Sequence, residues 1–199
     1  MNKGYIFSIS LLLITLLSIE AHAEDVVYSW GLGVGSSQFK LNESELVASY
    51  ASLSSTSSFS DSSTSFNFFG GMNFDEHLSL ELDMSFAGDI VARESGRSIK
   101  LFDVSTVAIT IAISHQVAQS SQLFARLGVH LWDISAGLDS SDSINSAVDL
   151  TYGFGANINI YGDRSRQMRI QWNHYEYDGI FLDSNDTLSL SVLFLIGAD

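Results

Sequence analysis

The chain has 199 residues, no cysteine, no proline, 15 glycines and a formal charge of −14 from 23 acidic and nine basic residues. Without cysteine there can be no disulfide framework, thiolate metal site or bacterial lipid anchor. So acidic a chain also lacks the clustered Lys and Arg that nucleic acid requires.

The N-terminus reads as a secretory signal peptide: Lys3, an apolar run from Ile9 to Leu17, and the small-x-small pattern Ala21-His22-Ala23. Residues 1–23 are therefore expected to be removed, leaving 24–199 as one domain of ordinary size. No later segment approaches the roughly 20 apolar residues of a spanning helix, so any membrane crossing has to be made by strands.

Period-two alternation, which puts every second side chain of a strand on one face, recurs eight times. The first run sets Tyr28, Trp30, Leu32 and Val34 against Ser29, Gly31, Gly33 and Gly35. A second covers about Ser63 to Asn73, and the third sets Leu78, Leu80, Leu82, Met84 and Phe86 against Ser79, Glu81, Asp83 and Ser85. The fourth opposes Val107, Ile109, Ile111 and Ile113 to Ala108, Thr110, Ala112 and Ser114, and the fifth covers Leu123 to Trp132. The sixth opposes Tyr152, Phe154, Ala156, Ile158 and Ile160 to Gly153, Gly155, Asn157 and Asn159. The seventh opposes Met168, Ile170 and Trp172 to Arg169, Gln171 and Asn173, and the eighth covers Leu188 to Ile196. Phe69, Phe124, Leu193 and Leu195 interrupt the otherwise polar faces.

These runs reach or exceed the roughly 9 to 11 residues with which a tilted strand crosses hydrocarbon. Long connections are expected at about 40–61, 88–98, 133–148 and 178–186, alternating with shorter ones, as in outer-membrane barrels with external loops and periplasmic turns. The first loop is Ser-rich and reads as mobile. The fold expected is an all-β, eight-stranded antiparallel up-and-down transmembrane β-barrel. Tyr28, Trp30, Phe86, Trp132, Tyr161 and Trp172 are candidates for its interfacial aromatic girdles, with Phe74, Tyr175 and Tyr177 also near strand ends.

The segment Leu123-Phe124-Ala125-Arg126-Leu127-Gly128-Val129-His130-Leu131-Trp132 resembles the fifth-strand motif of the outer membrane protein A transmembrane domain. Phe69-Gly70-Gly71, Leu80-Glu81-Leu82, Tyr152-Gly153-Phe154-Gly155-Ala156, Arg169-Ile170-Gln171-Trp172 and Leu188-Ser189-Leu190-Ser191-Val192 resemble other strands of that family in the same order. Two departures stand out: Phe194 is followed by five further residues where such barrels usually finish on an aromatic, and the peptidoglycan-binding domain that the family commonly adds is not expected here. Cell-wall tethering is therefore not expected.

Glu81 and Arg126 fall on inward faces, and the resemblance implies an internal carboxylate–guanidinium pair at these positions. Two readings are open: a salt bridge that plugs and stiffens the lumen, or a gate that exchanges partners among Glu81, Asp83, Lys100, Arg126 and Arg169. His174, Tyr175 and Glu176 invite comparison with outer-membrane lipid A deacylases, but Glu176 stands where those enzymes carry the nucleophilic Ser. Asp139, Asp142, Asp183 and Asp186 lack the spacing of a calcium loop, and His77, His115 and His130 are scattered.

No catalytic residue, metal or cofactor is expected. The function expected is a non-enzymatic outer-membrane barrel, a monomer with a structural, surface-interaction or narrow-pore role. Its partners would be outer-membrane lipids and lipopolysaccharide, the barrel-assembly machinery and a surface partner bound through the loops. The alternatives are a lipid A-modifying barrel enzyme and a soluble periplasmic ligand carrier, the latter with Leu78, Leu80, Leu82 and Phe86 lining a cavity and Glu81 in solvent.

Overall fold

The computed structural model describes residues 26–50, 53–94, 96–136, 143–160 and 163–197. The signal peptide, Tyr161, Asp139 and Asp142 lie outside them. Eight strands are wound in chain order: β1 (Val27–Leu41), β2 (Ser62–Asn73), β3 (Leu78–Glu94), β4 (Arg97–Ala118), β5 (Ser121–Ala136), β6 (Ser143–Ile160), β7 (Asp163–Glu176) and β8 (Leu182–Ile196). Each pairs antiparallel with its chain neighbours, and β8 pairs with β1 to close the ring. A helix, α1 (Glu43–Ser49), and a two-residue strand, Ser58–Phe59, fill the β1–β2 connection.

The register fixes the barrel's shape. A row of paired residues followed round the wall runs Val148, Leu131, Val107, Met84, Phe68, Leu32, Val192, Met168 and returns to β6 at Ile158, ten residues along from its start. That stagger is what tilts the strands of a closed barrel and sets its width. Every residue in the row is apolar and outward-facing.

The facing agrees with the alternation in the sequence. Ile113 and Leu127 are 66% and 63% exposed, whereas Glu81 and Arg126 are 2% and 3% exposed. So continuous an apolar exterior belongs in lipid, where a closed ladder lets the strands satisfy their backbone groups among themselves. The soluble-carrier alternative required the opposite facing and is overturned.

The strands run further than the alternation indicated. Residues 88–94 and 97–98, expected in a loop, continue β3 and β4 to a tight turn at Gly96, where φ is +80°. β5 continues to Ala136, β6 begins at Ser143, and β8 begins at Leu182, so the ranges 133–148 and 178–186 are also largely strand. The reason is that the inward face changes chemistry beyond the belt. Phe39, Ile90, Phe102, Ile134, Phe181 and Leu182 pack inside the barrel end as an ordinary hydrophobic core, which the period-two signature of a membrane strand does not reveal.

That core is lidded by α1. Its N-cap residue Asn42 accepts from the Glu45 N–H at 3.5 Å, Glu43 and Glu45 suit the positive end of the helix, and Leu46 is fully buried. The Ser-rich segment, expected to be mobile, is tied down. Ser54 Oγ donates to both Glu94 carboxylate oxygens at 3.1 Å, Ser57 Oγ donates to the same group, and Leu53 is buried. At the opposite end, the β2–β3 turn is closed by Asp75, whose Oδ1 accepts from the His77 and Leu78 N–H groups at 2.6 and 2.8 Å. These bonds, that from His77 first, hold its carboxyl below the usual range.

Replacing the outward Ile111 by Arg is expected to destabilise the barrel by about 2–4 kcal/mol if it lies near the bilayer midplane. Urea unfolding in lipid vesicles measures this; a loss well below 1 kcal/mol would place Ile111 away from hydrocarbon.

Candidate functional site: a charge cluster in the lumen

Four of the five charged residues singled out from the sequence meet inside the barrel. Glu81 and Asp83 project inward from β3, Arg126 from β5 and Arg169 from β7, all essentially buried. Arg169 Nη2 lies 2.8 Å from Glu81 Oε1, while Arg126 Nη1 lies 3.1 Å from Asp83 Oδ2 and 3.4 Å from Glu81 Oε2. Glu81 is thus held most closely by Arg169, and Arg126 is shared between two carboxylates. Two anions facing two cations leave the cluster neutral, which a buried site requires, since an unpaired charge there costs several kcal/mol.

Arg169 is held through its Nε, its Nη2 and the faces of two aromatic rings. Its Nε donates to Asn157 Oδ1 at 2.8 Å, and Asn157 Nδ2 donates to Gln122 Oε1 at 3.3 Å. The guanidinium also lies 4.5 Å from the ring centre of Phe124 and 4.8 Å from that of Phe69, within cation–π range. These are the two aromatics among the four residues that interrupted the polar faces, and their role was not evident from alternation. Room for the rings comes from their glycine partners on the neighbouring strands, Gly31 beside Phe69 and Gly155 beside Phe124. A Cβ on Gly155 would stand 2.7 Å from the Phe124 ring, and one on Gly31 2.4 Å from that of Phe69.

Lys100 does not join the cluster. Its Nζ lies on the barrel exterior, 2.7 Å from Asp89 and 2.9 Å from Asp103, beside the register shift where β3 passes from Ala87 to Ile90. The shift breaks the strict alternation used to place it inside. Lys100 pins a bulge.

Among the girdle candidates, Tyr28, Trp30 and Phe86 are exposed on the outer wall, with Trp30 stacked on Phe194 at 4.7 Å. Trp172 also faces outward, against Tyr152 and Phe154. Trp132 is a correction. It shares the inward face of β5 with Arg126 and His130, is 2% exposed, and donates from Nε1 to Asp149 Oδ2 at 2.6 Å. Tyr175 and Tyr177 are likewise buried. His130 Nε2 donates to the Glu176 carbonyl at 2.7 Å, and Tyr175 and Tyr177 meet its ring edge-on at 5.2 and 5.1 Å. Burial pushes the Tyr177 phenol up to about 12, as befits the dry underside of the plug.

Between this aromatic layer and the charge cluster lie the buried amides of Asn173, beside Tyr175, and of Asn67 and Gln171, the last two without a protein partner among the described residues. Such a layer suits water. On the outer wall His174 Nδ1 lies 2.8 Å from Asp186 Oδ1, and no hydroxyl bonds its ring among the described residues. Glu176, where a hydrolase would place its nucleophile, is exposed. Asp183 pairs with Lys40 at 3.4 Å. His77 and His115, remote in sequence, stack at 6.5 Å at the short-turn end, but among the described residues no group of three or more His, Asp or Glu could hold a metal ion.

An eight-stranded closed ring, apolar outside and charged within, agrees with a sequence match over residues 9–194 to the family described as outer membrane protein beta-barrel domain. The chain belongs to this family. No curated protein is detectably similar in sequence. Solved members of the same outer-membrane barrel architecture include Neisserial surface protein A, with TM-score 0.56, 13% identity, and 86% of this chain and 99% of that chain covered. Ail, the attachment invasion locus protein of Yersinia pestis, solved in complex with the heparin analogue sucrose octasulfate, has TM-score 0.53 and 15% identity over 86% and 99% of the two chains. The N-terminal β-barrel domain of Pseudomonas aeruginosa OprF has TM-score 0.54 and 9% identity over 86% and 98%. At these identities the outer-membrane barrel fold is shared, and the charge cluster has to be understood from its own geometry.

Removing Arg169 by substitution with Ala is expected to cost about 3–5 kcal/mol, because Arg126 alone is then left to neutralise two buried carboxylates, Glu81 and Asp83. Lys100→Ala, at an exposed pair, is expected to cost under about 1 kcal/mol. Urea unfolding of both variants in the same vesicles checks the contrast, and equal losses would mean that the cluster contributes no more than a surface pair.

Proposed function

We propose that this small outer-membrane β-barrel protein is non-conducting and non-enzymatic, a rigid staple that holds an acidic rim at the cell surface. The observation that carries the reading is the plug. Beyond the belt the lumen is filled by Phe102, Ile134, Trp132, Tyr177 and Phe181 and covered by Leu46 of α1, while lower down the paired charges fill the bore. An eight-stranded barrel is just wide enough for side chains to fill, and here they do so twice along its length. The salt bridges then stabilise the wall and do not gate a path. Among the described residues no hydroxyl is hydrogen-bonded to the His174 ring, whose partner is Asp186, and this supports the non-enzymatic reading over lipid A modification.

In this reading the barrel is oriented by its longer connections: those at 42–61, 137–142 and 177–181 lie at the end carrying α1 and the plug, which is taken to face outward, although β3 and β4 meet there in a tight turn, and the turns at 74–77 and 119–120 then face the periplasm. Export through the cleaved signal peptide 1–23 belongs to the same reading. The rim is strongly acidic: segments 36–61, 88–104, 132–149 and 174–187 hold fourteen Asp and Glu against four Lys and Arg. A surface partner would therefore be cationic, or lipopolysaccharide bridged by divalent cations, and the polyanion bound by Ail does not suit it.

In planar bilayers the purified barrel is expected to show no unitary conductance steps, and Glu81→Ala or Arg126→Ala to remain as silent. Steady channels in wild type would overturn the sealed-lumen reading. Immobilised heparin at physiological salt is expected to retain none of the folded protein; salt-sensitive retention would point to a basic site.

A further inference from the structure

The lipid-facing wall is dented at Gly70. In the outward row Trp30, Gly70, Leu82 the middle position carries no side chain, and an apolar cleft of about 230 Å³ opens there, bordered by Tyr28, Phe68, Met72, Leu80, Leu82 and Ile109. Lumen packing does not demand this glycine. A Cβ on Gly31, Gly128 or Gly155 would collide at 2.4, 2.0 or 2.3 Å, whereas one on Gly70 would meet nothing closer than the Ser29 carbonyl oxygen at 3.7 Å.

Position selects the occupant. The cleft is continuous with the apolar belt and its lining is predominantly apolar, with Ser29 and Glu81 contributing little at its floor, so whatever fills it comes from the membrane interior. Gly70 is three residues from the end of β2 at Asn73; at roughly 3.3 Å per residue and a tilt of about 40°, it lies ~8 Å inside the short-turn edge. The volume equals that of about eight water molecules at ~30 Å³ each, enough for a comparable number of methylene groups.

We propose that the cleft at Gly70 binds one acyl chain of a phospholipid from the periplasmic leaflet and retains it as an ordered lipid. Its assignment to that leaflet rests on the orientation given under Proposed function.

The test is native mass spectrometry of barrels extracted in mild detergent from cells and purified, comparing wild type with Gly70→Leu and Ala156→Leu. Both substitutions add the same side chain to the outer wall, the first in the cleft and the second on β6, across the barrel. Gly70→Leu has space for its new side chain, and heat-modifiable gel migration confirms that each variant is folded. Wild type and Ala156→Leu are expected to retain one phospholipid, and Gly70→Leu to lose about tenfold in occupancy. Equal retention by all three, no retention by wild type, or retention of lipopolysaccharide in place of phospholipid overturns the proposal. Protease access to a tag inserted near residue 140 in intact cells reads orientation independently, so an inverted barrel is told apart from an empty cleft.

Discussion

In hydrocarbon there is no water to satisfy a free N–H or carbonyl, so a spanning sheet has to close on itself. Here closure is made by β1 and β8, which pair from Tyr28–Ile196 to Leu41–Leu182. Everything else depends on that ring. Eight strands and a ten-residue stagger leave an interior only as wide as its side chains, so each inward residue meets neighbours from across the barrel. This is why carboxylates on β3 can be neutralised by guanidinium groups on β5 and β7, and why Phe69 and Phe124, from different strands, both reach the Arg169 guanidinium.

The interior is built of two materials because the exterior passes through two solvents. Within the belt, lipid accepts apolar side chains and the lumen takes charges and amides. Beyond the belt, water surrounds the wall, and the apolar residues turn inward to form the plug under α1. Bulges mark the passage, at Gly88–Asp89 in β3 and around Leu101 in β4, where Leu101 and Phe102 are both buried. Lys100, held between Asp89 and Asp103, fixes the wall at this bend.

The ring and its facing were legible in the sequence because side-chain period and lipid exposure act on the same residues: Leu78 to Phe86 and Val107 to Ile113 alternate as they pack. Strand ends were not, since the alternation reverses its polarity outside the membrane and segments such as 88–94 then read as loop. Trp132 illustrates the same limit. An aromatic near a strand end belongs to the girdle only if its parity is outward, and counting from Arg126 places it inside. Glu81, Asp83, Arg126 and Arg169 were identifiable from parity alone, but Phe69 and Phe124 looked like defects in a polar face until the fold brought them against Arg169. Lys100 was misplaced by a bulge that leaves no mark in residue type.

The most direct test of the inside-out wall is a spin-label scan along β4, from position 106 to 113, with the protein in lipid vesicles. The absence of native cysteine means that single cysteines report cleanly. Labels at Val107, Ile109, Ile111 and Ile113 are expected to collide readily with oxygen and poorly with a water-soluble nickel chelate, and those at Thr106, Ala108, Thr110 and Ala112 to be immobilised and shielded from both. Reversal of this pattern, with the chelate reaching Ile109 and Ile111, would contradict a barrel that turns its apolar face to lipid and fills its own lumen.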